Sequence, residues 1–133
     1  MAGYSNKPLS EKLGIKPSFR MFALHYPQNY FDLLGVQSSS FKRSLSGEFD
    51  FIHIFTTSRK NLLEAFLKVK GHIKKDGAVW VSWPKQSSPI KIDLNENIVR
   101  EVGMNNGLVD VKVVAVDNNW SALKFVYRLK DRK

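Results

Sequence analysis

Chemistry in this chain would have to come from few side chains. His25-Tyr26, Thr56-Thr57, Ser82-Trp83-Pro84-Lys85, Asp117 and Trp120 supply an imidazole, hydroxyls, an amine, a carboxylate and indoles. His25, Lys85 and a neighbouring hydroxyl could form an acid–base set. Lys85 could instead hold a phosphate or carboxylate, or be a surface lysine after a strand. Trp83 could stack on a planar ligand with its N–H at a half-exposed lip, or be a core aromatic. The histidines, His25, His53 and His72, include no pair at metal-ligand spacing such as i, i+4. The pattern therefore predicts no metal site, with His53 a hydrogen-bonded core residue and His72 a surface one. No serine stands in a nucleophile elbow, and no phosphate loop is present. The absence of cysteine excludes disulfides, thiolate catalysis and sulfur-ligated metals.

These groups sit in a chain of 133 residues, enough for one domain with a real core, expected to span residues 1–133 with an N-terminal helical arm over 1–17. No apolar run is long enough to cross a bilayer, and Met1–Gly14 lacks the apolar centre of a secretory signal. A cytoplasmic, bacterial-type protein with no membrane partner is the default expectation. The formal net charge of +9 invites nucleic acid or another acidic surface as a partner. The charge is dispersed, however. Lys60, Lys68, Lys70, Lys74 and Lys75 lie in or just after one helix, and Lys130, Arg132 and Lys133 form a tail. A solvated basic surface accounts for this equally well.

The elements that must position the candidates follow from periodicity and turn chemistry. Pro8 and Gly14 bracket a short helix, Leu9–Leu13. Phe19–His25 is the first strand, and Pro27 opens a short helix closed by Gly35. Phe41–Leu45 is a candidate edge strand, and Phe49–Phe55 a clear one. Thr57 or Ser58 can cap the next helix. There Leu62, Phe66, Val69 and Ile73 recur at helical spacing, with Leu63 and Leu67 widening the stripe. Lys75-Asp76-Gly77 reads as a turn before the strand Ala78–Trp83. Asp93 and Glu96 have capping-box spacing for a helix carrying Leu94, Ile98 and Val102. Val109–Val116 and Ala122–Leu129 are strands joined by the turn Asp117-Asn118-Asn119.

Strands alternating with helices imply a mostly parallel sheet covered on both faces, and the short final turn forces an antiparallel C-terminal hairpin. The expected fold is α/β, a three-layer Rossmann-like sandwich of order β-α-β-α-β-α-β-β. Ligands in such sheets sit beyond the carboxyl ends of the strands, which is why His25, Tyr26, Thr56, Thr57, Ser82, Trp83, Pro84, Lys85, Asp117 and Trp120 form the candidate crevice. Trp80 and Trp83 fall on opposite faces of a regular strand, and Trp83-Pro84 permits a cis peptide. Lys124 and Arg128 share one face of the last strand. They need a partner, for which Asp110 or Asp117 is available, or a wet face, which would make the hairpin a homodimer surface. Exposed lysine there could equally guard against edge pairing.

Phe49-Asp50-Phe51-Ile52, then Asp76-Gly77 with Ala78–Val81, then the hairpin, resemble the fourth strand, fifth strand and antiparallel ending of class I S-adenosylmethionine-dependent methyltransferases. That resemblance implies a methyltransferase-like topology and, in the family, S-adenosylmethionine. It also implies a glycine-rich loop after strand one and an acidic residue closing strand two. His25–Phe31 contains no glycine, and Phe41–Leu45 is basic and polar, with Glu48 close to the next strand. No cofactor is therefore predicted. A second resemblance rests on Tyr4-Ser5, Pro8-Leu9, Lys12–Lys16, Phe49–His53, Trp80–Lys85, Gly107–Lys112 and Trp120–Phe125. Together these are similar to a small bacterial domain-of-unknown-function family, which implies boundaries but no activity. The expectation is a non-catalytic binding or regulatory module for a small molecule or protein. The alternatives are a methyltransferase-like enzyme with an atypical pocket and a basic nucleic-acid-associated protein.

Overall fold

The computed structural model describes residues 7–85 and 92–131. Tyr4-Ser5 of the family motif and the tail residues Arg132 and Lys133 lie outside the described residues. The elements in chain order are α1 Leu9–Lys12, β1 Met21–Leu24, α2 Tyr30–Leu34, β2 Phe49–Phe55, α3 Arg59–Val69, β3 Ile73–Pro84, α4 Glu96–Asn105, β4 Leu108–Ala115 and β5 Trp120–Tyr127. The sheet runs β1-β2-β3-β5-β4. β1, β2 and β3 are parallel, and β5 lies antiparallel between β3 and β4. This is the mixed α/β, Rossmann-like plan with an antiparallel C-terminal hairpin.

The central strands explain their own composition. β2 is apolar at nearly every position because both of its faces are covered. On one face Ile52, Ile54, Val79, Val81 and Trp83 pack with Leu62, Phe66 and Val69 of α3 and Val99 and Val102 of α4. On the other, Phe51, Phe55 and Trp80 pack with Leu13, Tyr30 and Leu34. Trp80 and Trp83 do face opposite ways. Trp83 is only 5% exposed and belongs to the core. Its bond to Pro84 is trans, as are the other described peptides.

Several boundaries differ from the expectations, for identifiable reasons. β1 is shorter than Phe19–His25. The candidate strand Phe41–Leu45 is reduced to a single parallel bridge, Met21 to Phe41. A 3-10 turn at Ser38–Ser40 precedes it, and no apolar alternation follows to sustain pairing. α3 ends before Gly71, at φ 91°, so Ile73 opens β3 instead of closing the helical stripe. Lys75-Asp76-Gly77 lies inside β3, beside a register shift at Phe49/Phe51. A Cβ on Gly77 would stand 2.9 Å from the Phe49 carbonyl oxygen, so glycine there answers a close backbone approach. Leu63 and Leu67 do not widen the buried stripe and are exposed.

Capping follows the pattern at α3 and departs from it at α4. Ser58 caps α3, accepting from Asn61 N–H at 3.1 Å. α4 is capped by Asn95, which accepts from Ile98 N–H at 2.9 Å, in place of the Asp93/Glu96 box. Asp93 accepts instead from Arg59 N–H at the start of α3. Glu96 and Asp110 both bind Arg100. Neither proposed acid pairs with Lys124, because Asp117 accepts from the amides of its own turn. Lys124 lies opposite Lys112, and β5 begins at Trp120 rather than Ala122. Partial burial, then the Lys112 charge, lowers the Lys124 pKa. Edge strand β4 carries Lys112 beside a register shift at Asp110/Lys112, two features that discourage edge pairing.

Candidate functional site

The carboxyl ends of β1 and β2 open onto a crevice of about 250 Å³, lined by His25, Phe55, Thr56, Thr57, Asn61 and Trp120. Each wall has a local cause. β1 stops at Leu24, and His25 takes a left-handed backbone with φ 55°, which turns the chain away from the sheet. Such a conformation is uncommon outside glycine, although histidine is among the residues enriched there. Thr56 N–H donates to the Ser82 carbonyl at 3.0 Å, tying the end of β2 to β3. The Thr56 hydroxyl donates to the Ser58 carbonyl and accepts from the Ser58 amide, at 3.0 and 3.4 Å. That turn, with the Ser58 cap, sets Asn61 in the first turn of α3 against the crevice. Trp120 is fixed from the other side. Its amide donates to Asp117 at 2.9 Å, and its indole meets Phe55 edge-on with centroids 5.1 Å apart. His25 and Asn61 also line an adjoining cavity of about 100 Å³ with Glu64 and Lys68.

The candidates therefore separate. His25, Thr56, Thr57 and Trp120 come together. Tyr26 lines a different cavity, beyond the outer edge of β1. Ser82, Trp83 and Pro84 are buried inside β3 rather than standing past its end. Pro84 pairs with Trp120, and the Lys85 amide donates to the Asn119 carbonyl at 2.8 Å. Lys85 and Asp117 are not among the residues lining the crevice. Asn61 and Phe55 were missed. Position three after a helix cap at a strand end is the signal that would have marked Asn61.

Beneath the crevice lies a buried polar chain. The Tyr30 hydroxyl is 2.8 Å from His53 Nδ1, and His53 Nε2 is 2.7 Å from Ser82 Oγ. All three side chains are fully enclosed. The imidazole stacks on Phe55, with centroids 4.3 Å apart. Burial lowers the His53 pKa to about 3 and raises that of Tyr30. Histidine is thus held neutral, one ring nitrogen donating and the other accepting. The order serine–histidine–hydroxyl mimics a nucleophilic triad, but no substrate can reach Ser82. Among the described residues no group of three His, Asp or Glu side chains could hold a metal ion.

A family model for a protein of unknown function, DUF3052, matches residues 49–129. That is more than half of the chain, which belongs to this family. The N-terminal motifs precede the matched segment. No curated protein matches the sequence. By structure, the chain is similar to the ribosomal protein L11 methylase of Lactobacillus delbrueckii subsp. bulgaricus. The TM-score is 0.58 at 12% identity, covering 90% of this chain and 75% of that one. A TehB-like SAM-dependent methyltransferase from Corynebacterium glutamicum gives 0.56 at 9% identity, covering 96% and 91%. Magnesium protoporphyrin IX methyltransferase from Synechocystis PCC 6803 gives 0.52 at 10%, covering 66% of this chain. The chain spans 51%, about half, of that protein's length. At such identities the likeness establishes a methyltransferase-like fold. No described helix is long and apolar enough to cross a membrane.

Proposed function

We propose that this domain is a binding or regulatory module that takes a small polar ligand in the crevice of His25, Thr56, Thr57, Asn61 and Trp120, without covalent chemistry. The observation that carries the reading is the complete burial of Ser82, His53 and Tyr30. The one linked hydroxyl–imidazole set among the described residues is structural. What faces solvent is suited to recognition: the Thr57 hydroxyl, an amide, an imidazole and an indole.

S-adenosylmethionine, implied by the fold relatives, does not suit these residues. Where backbone must approach such a cofactor closely, His25 places a side chain on a left-handed residue. The crevice, about 250 Å³, is small for a nucleoside-sized cofactor, since pockets for drug-sized ligands run from roughly 300 to 1,000 Å³, and leaves room only for a smaller ligand. No carboxylate lines it to hold ribose hydroxyls, and Lys42 and Arg43 follow the remnant of the second strand. Calorimetric titration with S-adenosylmethionine and S-adenosylhomocysteine is expected to remain silent to millimolar concentration. Saturable heat, or methyl transfer lost in His25→Ala, would overturn the reading.

The net charge of +9 favours a second reading, association with nucleic acid. Retention on RNA or DNA that weakens steeply with salt would support it, and salt-independent retention would discard it.

A further inference from the structure

The outer edge of β1 carries a second and larger cavity, about 430 Å³, within the range of small-molecule pockets. Its floor is Phe22, Ala23 and Leu24, its walls include Tyr26, Phe31 and Phe41, and Lys42 and Arg43 stand at its side. Lys42 N–H donates to the Met21 carbonyl at 2.8 Å, closing one end of the edge. Beyond that bridge no described strand pairs with β1 on this side. Backbone groups alternate across a parallel strand, so Ala23, two residues past Met21, turns its N–H and C=O to the same open edge. A donor and an acceptor thus lie side by side in the sheet plane.

The walls are aromatic and mutually braced. Tyr26 and Phe31 meet edge-on at 5.0 Å, and Phe31 and Phe41 at 5.3 Å. Neither Lys42 nor Arg43 forms an ion pair among the described residues, and both are exposed. Flat apolar walls, an in-plane hydrogen-bonding edge and two unpaired cations are complementary to one ligand type: a planar ring with polar edge atoms that carries a dianionic group.

We propose that this cavity binds a phosphorylated planar heterocycle, of the nucleoside monophosphate class, with its ring edge on Ala23, its ring against Tyr26 and Phe31, and its phosphate on Lys42 and Arg43. The site is separate from the strand-end crevice and does not depend on it.

The test is a titration of the 15N-labelled full chain, followed by amide shifts, with AMP, adenosine and inorganic phosphate as probes. AMP is expected to saturate below a few millimolar, moving Ala23, Tyr26 and Phe41–Arg43. Adenosine and phosphate should each bind at least about tenfold more weakly, each lacking half of the contacts. Lys42→Glu with Arg43→Glu should weaken AMP by about tenfold or more and leave adenosine unchanged. Tyr26→Ala, at an exposed position, should weaken AMP and adenosine together. Asn61→Ala, in the other crevice, should change nothing here. Three outcomes would overturn the proposal: adenosine binding as tightly as AMP, phosphate binding as tightly as AMP, or AMP shifts confined to Thr57, Asn61 and Trp120. Absence of saturation by AMP would overturn it as well.

Discussion

Protonating His53 should destabilise this domain by an amount that its lowered pKa sets. In the folded chain burial holds the imidazole pKa at about 3, against 6.5 for a free histidine. The folded pKa is depressed, so the unfolded chain binds the extra proton between those values. Stability is therefore fully present above about pH 6.5 and is lost as pH falls towards 3. Linkage gives a loss of about 2 kcal/mol between pH 7.5 and 5, and about 4–5 kcal/mol by pH 3. That is a large share of the roughly 5–15 kcal/mol of a typical domain. Urea unfolding followed by tryptophan fluorescence, at steps from pH 7.5 to 5, measures the slope before most carboxylates titrate. The triple variant Tyr30→Phe, His53→Leu, Ser82→Ala removes the polar chain together, so no partner is left orphaned. It should fold with near wild-type stability at pH 7.5 and lose most of this pH dependence. Ser82→Ala alone leaves His53 Nε2 unpaired and should cost about 1–3 kcal/mol. An unchanged slope in the triple variant, or a wild-type His53 titrating above pH 6 by NMR, would refute the reasoning.

Other expectations concern packing, charge and capping. A Cβ at Gly103, inside α4, would run into the ring of Phe125. Gly103→Ala should thus destabilise by about 1–3 kcal/mol despite a helix-propensity gain of about 1 kcal/mol, and Gly103→Ala with Phe125→Leu should recover part of the loss in urea melts. Lys112→Glu converts the like charges facing across β4 and β5 into an opposite pair. It should stabilise by about 0.2–1 kcal/mol at low salt, a gain that shrinks in 1 M NaCl. Ser58→Ala removes the cap of α3 and should cost about 1 kcal/mol, seen as a lowered urea midpoint with unchanged slope.

The alternation of apolar strands with amphipathic helices was legible because both faces of β2 and β3 are covered, which leaves near-continuous apolar runs such as Phe51–Phe55 and Val79–Val81. The hairpin followed from a turn too short for a crossover. His53 as a bonded core residue was also readable, from an imidazole in the middle of an apolar strand. Less legible were features set by atoms far apart in sequence. Gly77 looked like a turn residue, yet its role is to clear the Phe49 carbonyl across a register shift. Asp93 looked like the cap of α4, yet its carboxylate reaches the amide of Arg59.

The candidate crevice divides on the same line. Sequence named the strand ends, and four of those residues, His25, Thr56, Thr57 and Trp120, do share a cavity. Ser82-Trp83-Pro84 looked like a lip because polar and ring residues followed an apolar run. Pairing with β5 carries the strand through Pro84, so Ser82 faces His53 and Trp83 faces the helices. Local pattern thus determined which segments are strands and which faces are apolar, since periodicity is a property of neighbours along the chain. Where each strand stops, which hydroxyl is sealed and which edge stays open were decided only by tertiary pairing, because those depend on the length and register of the partner strand.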